Sequence, residues 1–153
     1  AATEEVVAFL GDKAAVAIGP GLGIDEETVA AVRKVVVASE IPVVLDADGL
    51  NAFADAVELL AECPGPLVLT PHPGELARLL GSSVAEIQAD RVASARTAAR
   101  VTGAIIVLKG AHSLIGFPDE RVVVNTTGNH AMATAGSGDV LSVVIGALRP
   151  EAF

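Results

Sequence analysis

Residues 42–53 read PVVLDADGLNAF, an apolar run that closes on two aspartates and a glycine. Val43, Val44 and Leu45 would place apolar side chains on both faces of a strand, as in the buried strands of parallel sheets. The DADGLN that follows favours a loop that turns into a short helix. This stretch therefore predicts a strand covered on both faces, with polar side chains at its carboxyl end.

The same arrangement, an apolar run followed by a polar or glycine-rich cluster, occurs three more times. The runs are AAVAI before GPGLG, LVLT before PHPGE and AIIVL before KGAHS, at residues 14–23, 67–75 and 104–113. Apolar strands separated by helices imply an α/β fold, with a mostly parallel sheet covered by helices on both faces. Because ligands bind outside the carboxyl ends of such strands, all four clusters are candidate site residues.

Helices are predicted between these runs from capping residues and from breakers such as Gly and Pro. The predicted helices run from Asp25 to about Ser39, to Leu80 after PHPGE, from Ser83 to about Thr102, and onward from GSGD at residues 136–139. Residues 113–116 and 121–125 predict a hairpin that turns at Pro118-Asp119. No repeat or linker interrupts the pattern, so we expect one domain over residues 1–153.

Composition excludes several classes of protein. The chain has 153 residues, of which 52% are hydrophobic and 19% charged, and this excludes intrinsic disorder. A net charge of −9 argues against a nucleic-acid partner. Every apolar run is too short for a membrane span, so we expect a soluble protein. The single cysteine, Cys63, permits no internal disulfide and favours the reducing cytoplasm.

The cluster GSGDV at residues 136–140 is the strongest candidate for chemistry. If a helix starts near Ser137, the unpaired N–H groups from Gly136 to Asp139 point at one spot and form an anion site. Asp139 would repel a phosphate unless it accepts a proton from an attacking hydroxyl, as in phosphoryl transfer. The alternative is an ordinary helix cap, in which Ser137 or Asp139 satisfies those N–H groups.

The other clusters each allow a functional and a structural interpretation. GPGLG at residues 19–23 is either a tight turn or a loop that lies against a ligand, and it lacks the spacing of a dinucleotide fingerprint. His72 is held rigidly between two prolines, as a ligand contact or as an inert surface histidine. Lys109 either reaches an anion or extends into solvent. No second histidine lies at metal-ligand spacing from His72, so we predict no metal site there.

The acidic side chains near the strand ends also allow both a functional and a structural interpretation. Asp46 and Asp48 would hold Mg²⁺ through water or cap the helix that follows. Glu75 would cap the helix after PHPGE. His112 and His130 receive no role from their spacing.

Five motifs, in their order and spacing, resemble the ADP/ATP-dependent NAD(P)H-hydrate dehydratase family. They are AIGPGLG, PVVLDADGLNA, LVLTPHPGELARLLG, VLKGAHSLI and GNHAMATAGSGDVL, and they span nearly the whole chain. The resemblance implies a ribokinase-like fold and an enzyme that repairs hydrated NADH or NADPH. Such an enzyme uses ADP or ATP, with Mg²⁺, to phosphorylate the added hydroxyl, and the phosphate then leaves to restore the dihydropyridine.

The resemblance also implies roles for particular residues. Gly21, Gly23 and His72 would contact the hydrate, and Asp139 would be the base that faces its hydroxyl. The residues implied in nucleotide binding are Lys109, Gly110, Ala111, His112, Ser113, Gly136 and Gly138.

The chain departs from the family pattern in three places. Ser113 stands where Thr is common, which keeps the hydroxyl. His130 and Ala131 replace a Pro-Gly or Ser-Gly pair, which alters a loop over the nucleotide. The family domain has a further N-terminal portion and more helix after GSGDVL, so we expect residues 1–153 to be an incomplete domain.

Two other functions are compatible with some of these motifs. A ribokinase-type kinase of a small, vitamin-like hydroxymethyl substrate would share GSGD and the fold, although TPHPGE argues against it. A truncated, non-catalytic nucleotide-binding module would keep the anion site and lose the substrate pocket. The high apolar content of a short chain also predicts a homo-oligomer.

Overall fold

A computed structural model describes residues 2–127 and 136–147. The helices are α1 (Ala2–Leu10), α2 (Glu26–Val37), α3 (Asp48–Asn51), a 3₁₀ helix (Val57–Glu62), α4 (Pro73–Leu80), α5 (Val84–Ala89), α6 (Arg91–Thr102) and α7 (Ser137–Ala147). The strands are β1 (Val16–Ile18), β2 (Val43–Leu45), β3 (Leu67–Leu69), β4 (Ile105–Leu108), β5 (Leu114–Gly116) and β6 (Val122–Val124).

The strands form one six-stranded sheet in the order in which they occur along the chain. β1 to β4 are parallel, and β5 and β6 add the antiparallel hairpin. Leu45 is in register with Ile18 on one side and with Leu69 on the other, so the first three strands end level. The predicted mostly parallel sheet and the hairpin are confirmed, and the four polar clusters follow the carboxyl ends of β1 to β4.

The two faces of the sheet are covered by different helices. Val43 and Leu45 belong to the main core, together with Val36 of α2 and Leu76 of α4. Val44 lies between them in sequence and points to the opposite face, since successive side chains of a strand alternate. There it is buried, and α7 packs against β1 and β2. Helix α7 is thereby fixed beside the strands whose carboxyl ends carry the polar clusters.

The predicted single helix from Ser83 to Thr102 is wrong, because the segment divides at Asp90. The backbone of Asp90 leaves the helical region, with φ −146° and ψ 84°. Its carboxylate accepts a hydrogen bond from the N–H of Ala93 at 2.8 Å and caps α6. A short acidic side chain that bonds nearby backbone N–H groups favours a helix start over a helix interior, and here this preference outweighs the helical periodicity.

Helix α1 precedes β1, and the sequence patterns do not indicate it. Leu10 of this helix is buried, while Phe9 is exposed and carries the Lys13 ammonium 4.3 Å from the centre of its ring. Within residues 2–127 and 136–147, no helix has the length and apolar character needed to cross a membrane.

Candidate functional site

The clusters that follow the first four strands meet at one edge of the sheet. Backbone hydrogen bonds continue past the strand ends, from Asp46 N–H to Ile18 C=O at 3.1 Å and from Lys109 N–H to Pro71 C=O at 2.8 Å. Thr70 N–H donates in the same way to Leu45 C=O at 3.0 Å. These bonds fix the first residue of each cluster relative to its neighbours.

A buried group of charged side chains occupies the centre of this edge. Lys109 Nζ lies 2.7 Å from Asp46 Oδ1 and 3.7 Å from Glu75 Oε2. Asp46 is only 2% exposed and Glu75 is buried as well. A buried carboxylate is tolerated when it is paired and hydrogen-bonded, so the lysine stabilises both acids. Sequence patterns single out Asp46 and Lys109 separately but do not indicate that they pair.

The first turn of α7 lies directly against this group. Ser142 Oγ is 3.1 Å from Asp46 Oδ2 and also 3.1 Å from Gly138 C=O, and its one proton can serve either acceptor. A Cβ added at Gly138 would lie 3.4 Å from Asp46 Oδ2 and 3.5 Å from Lys109 Nζ. Only a residue without a side chain leaves open the space between this turn and the lysine. Sequence reasoning missed Ser142, which has no signal of its own inside an apolar helix.

The opening N–H groups of α7 are not capped by the described part of the chain. The helix starts at Ser137, as predicted, after Gly136 with φ +82°. Val140 N–H makes the first bond within the helix, to Gly136 C=O at 3.2 Å. The N–H groups of Ser137, Gly138 and Asp139 donate to none of the residues that the structure describes. The alternative of a cap made by Ser137 or Asp139 is therefore not observed, and Asp139 is exposed.

His72 is held rigidly, but by a cap as well as by its flanking prolines. Its Nδ1 accepts hydrogen bonds from Gly74 N–H at 2.9 Å and from Glu75 N–H at 3.3 Å. Glu75 Oε2 in turn accepts from His72 N–H at 2.7 Å, which completes a capping box and confirms the predicted cap. Since Nδ1 is an acceptor, the proton of the neutral ring is on Nε2, which lies 3.4 Å from Glu75 Oε1.

The glycine loop after β1 lies against the loop after β2. Gly19 has φ +146°, and a Cβ there would lie 1.7 Å from Asp46 C=O, so only glycine fits. Gly23 N–H donates to Asp48 Oδ2 at 3.0 Å. Gly21 has φ +74° and is exposed, with open space where a side chain would stand.

The helix cap predicted as one of the two roles of Asp46 and Asp48 is not observed. Asp46 pairs with Lys109, and Asp48 accepts from the N–H of Gly23. The N-cap of α3 is Ala47, with φ +47° and no side-chain cap. Across residues 2–127 and 136–147, no group of three or more His, Cys, Asp or Glu side chains is placed to hold a metal ion.

The loop after β4 is fixed by a residue that the motifs do not reveal. Arg91, the first residue of α6, donates to Ala111 C=O at 2.7 Å, and its other terminal nitrogen lies 3.4 Å from the carbonyl oxygens of Leu108 and Lys109. Gly110 has φ +144°, and a Cβ there would lie 2.8 Å from Arg91. Within an apparently continuous helix, no pattern distinguishes this arginine from its solvent-facing neighbours.

All the predicted site residues lie in loops or helix starts at the carboxyl edge of the sheet. The structure brings Gly138 beside Lys109, and it places His72 beside Glu75, which approaches the same lysine. Among the described residues, the Asp139 carboxylate makes no hydrogen bond or ion pair with Lys109, His72 or Glu75. His130 and Ala131 lie outside the described residues.

The sheet topology and the site at its carboxyl edge define the class of protein. A solved structure of a ribokinase-like superfamily protein from Enterococcus faecalis matches with a TM-score of 0.75 at 26% identity, over 94% of this chain and 50% of that one. The fold is therefore ribokinase-like. Residues 2–149 match the model of the NAD(P)H-hydrate dehydratase family, and the chain belongs to that family.

Similar proteins are considerably longer than this chain. The bifunctional NAD(P)H-hydrate repair enzyme Nnr of Moorella thermoacetica is 51% identical over 135 residues, which are 88% of this chain and 26% of that protein. The ADP-dependent (S)-NAD(P)H-hydrate dehydratase of Neisseria meningitidis is 45% identical over 137 residues, 88% of this chain and 46% of the other. The ADP/ATP-dependent NAD(P)H-hydrate dehydratase of Bacillus subtilis, co-crystallised with ATP and Mg²⁺, matches with a TM-score of 0.75 at 40% identity, over 90% of this chain and 46% of that one. The chain thus spans a quarter to a half of these relatives.

Proposed function

We propose that this chain carries the phosphoryl-transfer site of an enzyme that dehydrates hydrated NADH or NADPH with ADP or ATP. The observation that carries the proposal is the start of α7, which no described residue caps and which lies beside Lys109. Unpaired N–H groups at a helix start favour a phosphate, and an ammonium beside them adds a positive charge. The names of the similar enzymes from Neisseria meningitidis and Bacillus subtilis support this choice of reaction.

The hydrate and the nucleotide bind on opposite sides of the sheet edge in this proposal. Gly21, Gly23 and His72 line the side that takes the hydrate. Asp139 accepts the proton of the added hydroxyl as that oxygen attacks the terminal phosphorus and the bond to the bridging oxygen breaks. Departure of the phosphate, with loss of a proton from the adjacent ring carbon, restores the dihydropyridine.

The nucleotide is bound on the other side of the edge. The phosphates accept hydrogen bonds from the N–H groups of Gly136 to Gly138 and from the ammonium of Lys109. The loop after β4 encloses the phosphates with Gly110, Ala111, His112 and Ser113. Mg²⁺ arrives with the nucleotide, because Mg²⁺ typically keeps its waters and is bound through substrate phosphates. No step is assigned to the metal.

The test compares Asp139→Asn with the wild type in an assay of hydrated NADH and ADP. We expect the wild type to restore the absorbance of NADH and the variant to lose at least about 100-fold in turnover, the contribution of one acid–base group. Asp119→Asn is a matched control, since Asp119 is exposed and pairs with Arg121 in the hairpin turn. Full activity in Asp139→Asn would contradict the mechanism.

Two other results would identify the alternative functions. A phosphorylated product that accumulates without elimination would indicate a kinase of a hydroxyl substrate. Adenylate binding without turnover of any hydrate would indicate a nucleotide-binding module.

We also propose that residues 1–153 form part of a single domain in a cytoplasmic homo-oligomer. Burial raises the pKa of the Cys63 thiol, so this lone cysteine stays protonated, in keeping with a reducing compartment. Val140 and Val143 on α7 are 63% and 64% exposed, and apolar surface of this kind favours association.

A further inference from the structure

Asp46 is the most buried of the charged residues described at the site, and the resemblance gives it no role. Its two carboxylate oxygens bind different elements. Oδ1 accepts from Lys109 Nζ at 2.7 Å, after β4, and Oδ2 accepts from Ser142 Oγ at 3.1 Å, on α7. One carboxylate thus joins the lysine to the helix whose first turn is open to an anion.

The position of the Lys109 ammonium depends on this carboxylate. Glu75 also attracts the ammonium, but its nearest oxygen is 3.7 Å away, beyond the range of a good hydrogen bond. Asp46 holds Nζ where it would lie 3.5 Å from a Cβ at Gly138. An ammonium has three N–H donors, so after the hydrogen bond to Asp46 two remain that can turn toward Glu75 or toward a phosphate oxygen.

We infer that Asp46 is a positioning residue: it fixes Lys109 against the first turn of α7, so that the ammonium and the N–H groups of that turn act on the same phosphate. The inference rests on the proposed function for the identity of the phosphate. Without the charge at position 46, Glu75 is the remaining carboxylate beside the lysine in the described structure. The ammonium would then move toward Glu75 and away from Gly138.

The first experiment needs no ligand and reports on the lysine itself. The ¹H–¹⁵N signal of a lysine ammonium becomes visible by NMR when a carboxylate slows its proton exchange. We expect a visible Lys109 signal in the wild type, and in Asp46→Asn either its loss or a change in its chemical shift, because the ammonium then faces Glu75 alone. The matched control is Asp55→Asn, which removes an exposed partner of Arg33 on another part of the surface. A Lys109 signal that persists unchanged in Asp46→Asn would overturn the inference.

The second experiment measures ADP affinity by calorimetry in a double-mutant cycle. We expect Asp46→Asn to weaken ADP binding about tenfold in the wild type and less than about twofold in a Lys109→Met background. A residue with only a structural role would give the same loss in both backgrounds. Equal losses in the two backgrounds, or tighter ADP binding in Asp46→Asn, would overturn the inference.

Two further results distinguish a failure of the inference from a failure of the proposed function. If Asp46→Asn does not fold, Ser142→Ala removes only the hydroxyl that joins Asp46 to α7, and ADP binding should weaken about threefold. Wild-type affinity in Ser142→Ala would then contradict the inference. If the wild type binds no ADP but its Lys109 signal depends on Asp46, the proposed function fails and the positioning of the lysine stands.

Discussion

Helices α4 and α7 both begin at the carboxyl edge of the sheet, and among the described residues only the first N–H groups of α7 find no acceptor. At the start of α4, His72 Nδ1 accepts from two backbone N–H groups and Glu75 accepts a third. At the start of α7, the corresponding N–H groups bond to nothing in the described structure. The start of α4 is closed by its own side chains, and no residue that the structure describes closes the start of α7.

The difference comes from the residue before each helix rather than from the acid inside it. Glu75 and Asp139 are both the third residue of their helices. Before α4 stands His72, whose ring reaches the first turn, and the longer glutamate reaches back to it. Gly136 precedes α7 and has no side chain that could accept hydrogen bonds from the first turn of that helix. Asp139 is exposed, and its carboxylate makes no hydrogen bond to a described residue.

The largest effect is expected from filling the open start of α7 with a methyl group. Gly138→Ala would place a Cβ in ordinary contact with Asp46 and Lys109 and occupy the space where a phosphate oxygen would approach. We expect ADP affinity, measured by calorimetry, to fall at least about tenfold, while helix stability stays equal or rises because Ala favours helix over Gly.

A matched control for this substitution lies on the same helix. Gly146→Ala would place its Cβ 3.8 Å from Val44 and 4.0 Å from Ala15, which is ordinary contact away from the site. ADP affinity should be unchanged in this variant. Equal affinity in Gly138→Ala and Gly146→Ala would contradict the account of an open helix start.

A smaller effect is expected from opening the closed start of α4. His72→Ala removes the acceptor for two N–H groups, and we expect the free energy of unfolding in urea to fall by about 1 kcal/mol. His72→Asn should recover most of this loss, because Asn is a good N-cap. ADP affinity should change little in either variant. A drop in ADP affinity as large as that of Gly138→Ala would show that the two helix starts do not act separately.

The sequence predicts a mostly parallel sheet because the strands are apolar on both faces, are separated by helices and end at polar clusters. It predicts the start of α7 because Gly136 and the acid at position 139 mark it. It does not predict the pairing of Asp46 with Lys109, since these residues are 63 positions apart and only the sheet register brings them together. The division of the long helix at Asp90 is missed because one local hydrogen bond decides it.

The capping role of His72 is another feature that the sequence does not predict. Its flanking prolines indicate rigidity, but they do not reveal that Nδ1 is already used by the backbone of α4. That leaves Nε2, which faces Glu75 Oε1 at 3.4 Å, as the ring nitrogen that the backbone does not use, and this follows only from the geometry of the capping box.

The most direct test of the account is an NMR titration of the chain with ADP that follows backbone amide signals at both helix starts. The account predicts that the amides of Ser137, Gly138 and Asp139 shift as ADP is added, while those of Gly74 and Glu75 stay in place. Shifts at α4 with none at α7 would contradict it.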